Sequence, residues 1–355
     1  MTTRRLASLV FGLVVTISLG LAATPAGAQV IEVPPFRLGP PIIGHLQDVD
    51  VSFGDDGTLV YVWGEYDLRP PFRNENDHVV SQWFSVDGVA IKPPVVVDTS
   101  GGVFNPVIHS DLRGGHLASW LWIGNRIYRV RTRSVNAGGR GGAAGPDFQA
   151  DRNGLGPAGF STFALGLPDG FAYVWNQNGM RLRTFFANGR PRGIDQKFSR
   201  GGYRLDGAVL PDGGFITVWS FGANGRIFDG DGTPRTDNFV FSDTVSVTRV
   251  ATSPAGDIAA LGTHQDETSL DVVVVRLASD GTPMREFTVV SIPDAAPGNP
   301  FIYADLDFDH YGNLLVVTTI SDNDVAEANV APTVRAYAPD DTLLGPPLTL
   351  SSMLG

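Results

Sequence analysis

Three aspartates recur at every second position in Asp305-Leu-Asp307-Phe-Asp309-His-Tyr-Gly-Asn313. Oxygen ligands at positions 1, 3, 5 and 9 suit a hard cation such as calcium, so Asp305, Asp307, Asp309 and Asn313 are the candidate metal ligands. Two features weigh against that reading. The glycine falls at position 8 rather than 6, and the segment also reads as a strand entering a Tyr-Gly-Asn hairpin. On a strand the three carboxylates share one face but spread over about 13 Å, too far to hold one ion. Asp229-Gly-Asp-Gly232 is a second acidic loop, better read as a plain turn. Calcium is the one cofactor that any motif suggests, and none is predicted outright.

A second constellation emerges from repetition. A turn followed by a strand that often ends in Trp appears as Asp56-Gly57 to Trp63, then as Gly115 to Trp120 and Pro168 to Trp175. Leu210-Pro-Asp-Gly-Gly-Phe-Ile-Thr-Val-Trp219 is the clearest copy. Pro254 to Leu261 and Tyr311 to Val317 keep the pattern without the Trp. Seven residues before each turn glycine stand Asp50, Val107 or Ile108, Phe163, Asp206, Arg249 and Asp305. Asp48, His109 and Asp307 lie close by. If these positions line a common channel, then Asp48, Asp50, His109, Asp206, Arg249, Asp305 and Asp307 are its candidate ligand-binding residues. The competing reading is that Arg249 pairs with an aspartate and the others face channel water.

The elements that position these residues follow from the same repeat. A second turn lies downstream in each unit: Asp87-Gly88, Asn136 to Gly139, Asn188 to Pro191, Asp231-Gly-Thr-Pro234, Asp280-Gly-Thr-Pro283 and Pro339 to Thr342. A short strand follows each one. Six copies of two landmarks recur at roughly 43 to 60 residues, the length of four short strands and their turns. Phe215 to Trp219 and Val272 to Val275 are apolar on both faces, as expected of strands covered on both sides. The predicted fold is all-β, a six-bladed β-propeller of four-stranded antiparallel blades over residues 47–355. Two β-sandwich domains would supply the strands but not the repeated landmarks. Trp63, Trp120, Trp175 and Trp219 are expected in the core between blades rather than on a sugar-binding surface.

The repeats resemble those of bacterial secreted β-propellers, in which a Pro-Asp-Gly-Gly-Phe-x-x-x-Trp hairpin precedes an Asp-Gly-Thr-Pro turn. Leu210 to Trp219 and Asp231 to Pro234 match best, and weaker copies cover nearly all of residues 47–350. The resemblance implies a propeller and a binding scaffold, and no reaction.

The amino terminus reads as an export signal over residues 1–28. Arg4 and Arg5 precede an apolar run to Ala23, and Ala26-Gly-Ala28 offers a cleavage site. A Sec-type signal is expected, and Thr3-Arg-Arg-Leu6 also admits a twin-arginine reading. Residues 29–46 carry Leu38-Gly-Pro-Pro41, which matches Leu344-Gly-Pro-Pro347 and suggests a ring-closing outer strand. The chain has no cysteine, which excludes disulfides, thiol nucleophiles and thiolate metal sites. Its formal net charge of −11 argues against nucleic acid or an anionic membrane surface as partner. No membrane span is expected once the signal is removed.

Catalytic motifs are wanting. The six histidines form no His-x-His or His-Glu-x-x-His pair, and there is no Gly-x-Ser-x-Gly elbow. The expected function is a secreted or periplasmic non-catalytic scaffold that binds a protein, a carbohydrate or a small molecule. The alternative is a cation-dependent hydrolase or lactonase acting at the channel mouth.

Overall fold

The computed structural model describes residues 45–53, 58–66, 78–85, 89–99, 103–110, 116–124, 127–135, 148–149, 162–176, 178–186, 190–220, 222–293, 301–309, 311–321 and 332–349. Every regular element among them is a β-strand. The chain divides into two compact units, one ending at Pro157 and the other beginning at Ala158.

The first unit holds two sheets. β1 (His45–Phe53), β2 (Leu59–Tyr66), β3 (His78–Phe84) and β4 (Val95–Asp98) pair antiparallel in chain order. β5 (Val103–Ser110), β6 (His116–Gly124), β7 (Ile127–Val135) and β8 (Phe148–Gln149) do the same. The inner strands β1 and β5 lie side by side.

The second unit holds four such sheets. They are β9 (Thr162–Leu167) to β12 (Gln196–Lys197), with β10 (Gly170–Asn176) and β11 (Met180–Phe186) between; then β13 (Tyr203–Val209), β14 (Phe215–Ser220), β15 (Ala223–Phe228) and β16 (Phe239–Ser242). Next come β17 (Ser246–Thr252), β18 (Ile258–Gln265), β19 (Ser269–Leu277) and β20 (Pro283–Pro293); and last β21 (Phe301–Phe308), β22 (Leu314–Ser321), β23 (Thr333–Tyr337) and β24 (Leu348–Thr349). The inner strands β9, β13, β17 and β21 are successive neighbours. Four-stranded meanders stacked through their inner strands are the blades of a β-propeller.

The stacking explains why the best strands do not alternate. On β14, Ile216 and Val218 pack with Val250, Ile258 and Ala260 of the following blade. Their neighbours Phe215 and Trp219 pack with Leu165, Val174 and Leu182 of the preceding one. β18 repeats the arrangement, with Ala260 on one side and Ala259 and Leu261 on the other. Both faces of β14 and β18 are core, so both are largely apolar. Trp63, Trp120, Trp175 and Trp219 are all buried, as expected of inter-blade core. Truncating any of them to alanine would cost about 3–5 kcal/mol. Trp83 is also buried, and the side chain of Trp122 lies outside the described residues.

The second landmark turn reaches across to the preceding blade. Gly232 (φ 92°) and Gly281 (φ 87°) occupy it in Asp-Gly-Thr-Pro, and Asp341 (φ 65°) occupies it in Pro339-Asp-Asp-Thr342. Each donates its amide to the carbonyl three residues back. A β-carbon at Gly281 would stand 2.4 Å from the ring of Phe239 on β16.

The expected signal sequence, and residues 29–44 of the expected ring-closing segment, lie outside the described residues. β1 begins at His45, two residues before the expected start of the blades.

Candidate functional site

The repeat-equivalent positions fall on the inner strands, each just past a local irregularity. Register shifts precede Asp50 on β1, Val107 on β5, Asp206 on β13 and Arg249 on β17. The register therefore selects Val107 rather than Ile108 as the equivalent of Asp50. Asp305 sits at the same distance from its hairpin, opposite Val317. A bulge re-aims the residue beside it, here toward the next blade.

Asp50 shows what that position does. Its Oδ2 accepts the amide of Ile108 on the next blade at 2.8 Å, and its Oδ1 accepts the amide of Val51. Asp206 repeats the contact in the second unit, where its Oδ2 accepts the amide of Val250 at 2.8 Å. Arg249 carries the line onward: its Nε lies 3.4 Å from Asp305 Oδ1, and its Nη1 donates to the Thr248 carbonyl. Asp305 Oδ1 also accepts the amide of Leu306. The structure thus brings Asp206, Arg249 and Asp305 together along three successive inner strands. Asp50 makes its tie within the first unit. Asp48 and His109 lie on β1 and β5, and their side chains lie outside the described residues.

The electrostatics follow from this crowding. Burial pushes the Asp206 carboxyl up to about 7, against the pull of Arg249 and the Val250 amide, with Asp305 adding to the rise. Burial likewise raises Asp305, opposed by Arg249. Asp307 is pushed up to about 6 by burial, opposed by its bond from Phe308 N and helped by the charge of Asp305. Asp305 sits deep among neighbouring strands, yet its side chain is 62% exposed, so water tempers its rise. Asp307 is exposed in the same way. Asp206 is only half-exposed, so water tempers its rise least.

The candidate metal ligands are not gathered. Asp309 Oδ1 accepts the amides of Tyr311 and Asn313, and its Oδ2 accepts the Asn313 side-chain amide at 2.7 Å. These bonds close the hairpin between β21 and β22. Asp305 and Asp307 stand on the strand, opposite Val317 and Leu315. The strand reading therefore prevails over the calcium loop. Among the described residues no group of three or more His, Cys, Asp or Glu could hold a metal ion.

Two charged clusters went unread in the sequence. Asp98 of β4 is buried and accepts Trp120 Nε1 of the next blade at 2.7 Å, with Arg131 Nη1 at 3.7 Å. Asp341 is clamped by Arg276 and Arg285 of the preceding blade. Only Asp341 left a trace in the sequence, as the acidic residue in a turn whose sister copies carry glycine. Away from the inner edge, a groove of about 310 Å³ runs between β16 and the turn before β20, lined by Asp237, Phe239, Val240, Asp280 and Pro283.

No family model matches the sequence, and no curated protein matches it. Among solved structures, a protein of unknown function from Dyadobacter fermentans is 13% identical, with a TM-score of 0.52 over 82% of this chain and 94% of that one. A Hadza microbial sialidase is 11% identical, with a TM-score of 0.47 over 83% and 71%. Prolyl oligopeptidase B from Galerina marginata is 9% identical, with a TM-score of 0.43 over 78% and 38%. At this identity the first likeness speaks to fold alone, and the other two are too loose to carry an argument.

Proposed function

We propose that the chain is an exported, non-catalytic binding scaffold built on a six-bladed β-propeller of the bacterial secreted repeat type. One observation carries the non-catalytic reading. The inner-edge carboxylates Asp50 and Asp206 are committed to backbone amides of the next blade, and Asp305 to Arg249. Groups that tie blades together are spoken for structurally, which leaves recognition to the loops and the outer rim. The partner class is a protein, a carbohydrate or a small polar molecule. Export rests on the amino-terminal sequence, and the lack of cysteine fits a bacterial envelope or medium better than a eukaryotic secretory route.

A second reading, a cation-dependent hydrolase or lactonase, draws on the raised carboxyls of Asp206 and Asp307. Carboxyls poised near neutrality suit acid–base chemistry. One experiment separates the two. Thermal unfolding is followed with calcium and with chelator, alongside turnover of a panel of lactones and chromogenic esters. The scaffold reading expects an unchanged midpoint and no turnover above buffer. A calcium-dependent rise in midpoint, with turnover lost in Asp206→Asn, would replace it with the hydrolase.

A further inference from the structure

We propose that the rim groove between β16 and the turn before β20 docks an extended basic segment of a partner protein. Its lysine or arginine heads meet Asp237 and Asp280, and their stems lie on Phe239, Val240 and Pro283. The docking rests on the scaffold reading, which leaves recognition to the loops and the rim, and gives the partner a chemistry.

The groove is held from three sides. Arg226 Nε donates to the Thr236 carbonyl at 3.0 Å, and Asn238 Nδ2 donates to the Phe198 carbonyl of the preceding blade at 2.8 Å. The Phe239 ring is wedged between two glycines: a β-carbon would stand 2.7 Å from it at Gly225 and 2.4 Å at Gly281. At the far end Ser242 Oγ donates to Glu286 Oε2 at 3.3 Å, which ties β16 to β20. The volume of about 310 Å³ lies at the low end of binding sites, which run from about 300 to 1,000 Å³. It has room for one or two side chains rather than for a large ligand. The wall from Thr236 to Val240 spans about 13 Å of extended chain. β16 is the outermost strand of its sheet, so one backbone edge has no strand paired to it. Extended peptides add to such edges.

Charge selects the partner. Asp237 is exposed and bonds to no described residue. Asp280 is exposed as well, and its Oδ1 accepts the Thr282 amide at 2.9 Å, a bond that holds the carboxyl below its ordinary range. No lysine or arginine lines the groove. The arginines nearest in sequence are engaged: Arg226 as above, Arg235 with Asp212 and Asp229, and Arg285 with Asp341 and the Pro339 carbonyl. Two carboxylates thus stand beside apolar surface, with Val240 55% exposed and Met284, next to Pro283, 65% exposed. An apolar stem with a cationic head matches that surface. A neutral carbohydrate would gain nothing from the two charges.

Fluorescence anisotropy tests the docking with the full mature chain and a fluorescein-labelled decapeptide of alternating Arg and Thr, beside Gln-Thr and Glu-Thr counterparts. The Arg peptide is expected to bind saturably and more weakly as salt rises, the Gln peptide far more weakly, and the Glu peptide not at all. Asp237→Asn and Asp280→Asn should each lower affinity about fivefold. Val240→Arg, which gives the groove a cation of its own, should abolish binding. Asp266→Asn removes an equally exposed carboxylate from the turn between β18 and β19 and should change nothing. Thermal midpoints equal to the wild type exclude misfolding as the cause of any loss. The docking is overturned if no peptide binds, if the three bind alike, or if Asp266→Asn costs as much as Asp237→Asn. Binding of neutral maltohexaose that Val240→Arg removes would assign the groove to a carbohydrate and overturn it equally. None of these results touches the scaffold reading, whose failure is read separately as calcium-dependent turnover lost in Asp206→Asn.

Discussion

Arg276 Nη2 lies 2.6 Å from Asp341 Oδ1, and both side chains are almost sealed from water, at 6% and 7% exposure. Arg276 is on β19, and Asp341 is in the turn between β23 and β24, so the pair staples one blade to the next. Arg276 Nε donates to the same oxygen, and Arg285 Nε holds the other. The Arg276 guanidinium also lies over the ring of Phe308, 4.9 Å from its centre. Asp341 adopts φ 65°, a conformation its sister turns fill with glycine. That left-handed backbone costs about 1–2 kcal/mol, which the ion pairs offset.

Removing one partner strands a buried charge. Arg276→Leu or Asp341→Gly should each lower the unfolding free energy by about 3 kcal/mol, less in the glycine variant, where backbone strain is relieved. The double variant removes both charges and should be more stable than the sum of the two losses. Urea unfolding of the four proteins measures this directly. Simple additivity would show that the two residues do not act as a pair.

Asp98 should behave in kind. It accepts the buried indole N–H of Trp120 at 2.7 Å. Asp98→Ala leaves that N–H unsatisfied and should cost about 2–3 kcal/mol. Asp98→Asn retains an acceptor oxygen and should cost less than half as much. Equal losses in urea unfolding would mean that the charge facing Arg131, and not the indole bond, is what counts.

The legible part of this molecule was whatever repeats. Turn glycines and tryptophans recur because each blade meets the same neighbours, so a frame drawn from Asp-Gly and Trp located the hairpins and the buried Trp63, Trp120, Trp175 and Trp219. The same frame put Asp206, Arg249 and Asp305 on neighbouring strands, where Asp206 meets the Val250 amide and Arg249 meets Asp305. It could not say that Asp206 would reach a backbone amide, because that depends on the stagger between blades and on a bulge. At the Asp-rich hairpin the two readings open in the sequence part for a local reason: Asp309 satisfies its own turn. Asp98 and Asp341 pair with residues 22 to 65 positions away across a blade interface, and no local pattern encodes such contacts.

Gly281 offers a steric test of the blade interface. A methyl group there would overlap the Phe239 ring and would also sit on a backbone at φ 87°. Gly281→Ala should cost about 2–3 kcal/mol from the two effects together. Gly193→Ala, where no atom lies within 4 Å, serves as the control and should be nearly neutral. Thermal midpoints of the two variants decide the matter. A neutral Gly281→Ala would show that Phe239 swings aside at no cost.

The acid limb of stability should carry a small, salt-sensitive share from the first hairpin turn of the fourth sheet. Arg235 Nη1 lies 2.6 Å from Asp212 Oδ2, and its Nε bonds Asp229 at 2.5 Å. The Arg235 hydrogen bond, followed by the Gly214 amide, holds the Asp212 carboxyl below its ordinary value. A depressed folded value places the stabilisation above the ordinary carboxylate range and removes it as pH falls through the folded one. Asp212 is 60% exposed, so the share is under about 1 kcal/mol and shrinks as salt screens it. Arg235→Gln should therefore fall below the wild type at pH 6 in low salt, lie closer to it at pH 3, and approach it again in high salt. Urea midpoints at the two pH values and two ionic strengths read all three comparisons. A deficit that persists unchanged at pH 3 and in high salt would assign Arg235 a packing role in place of an electrostatic one.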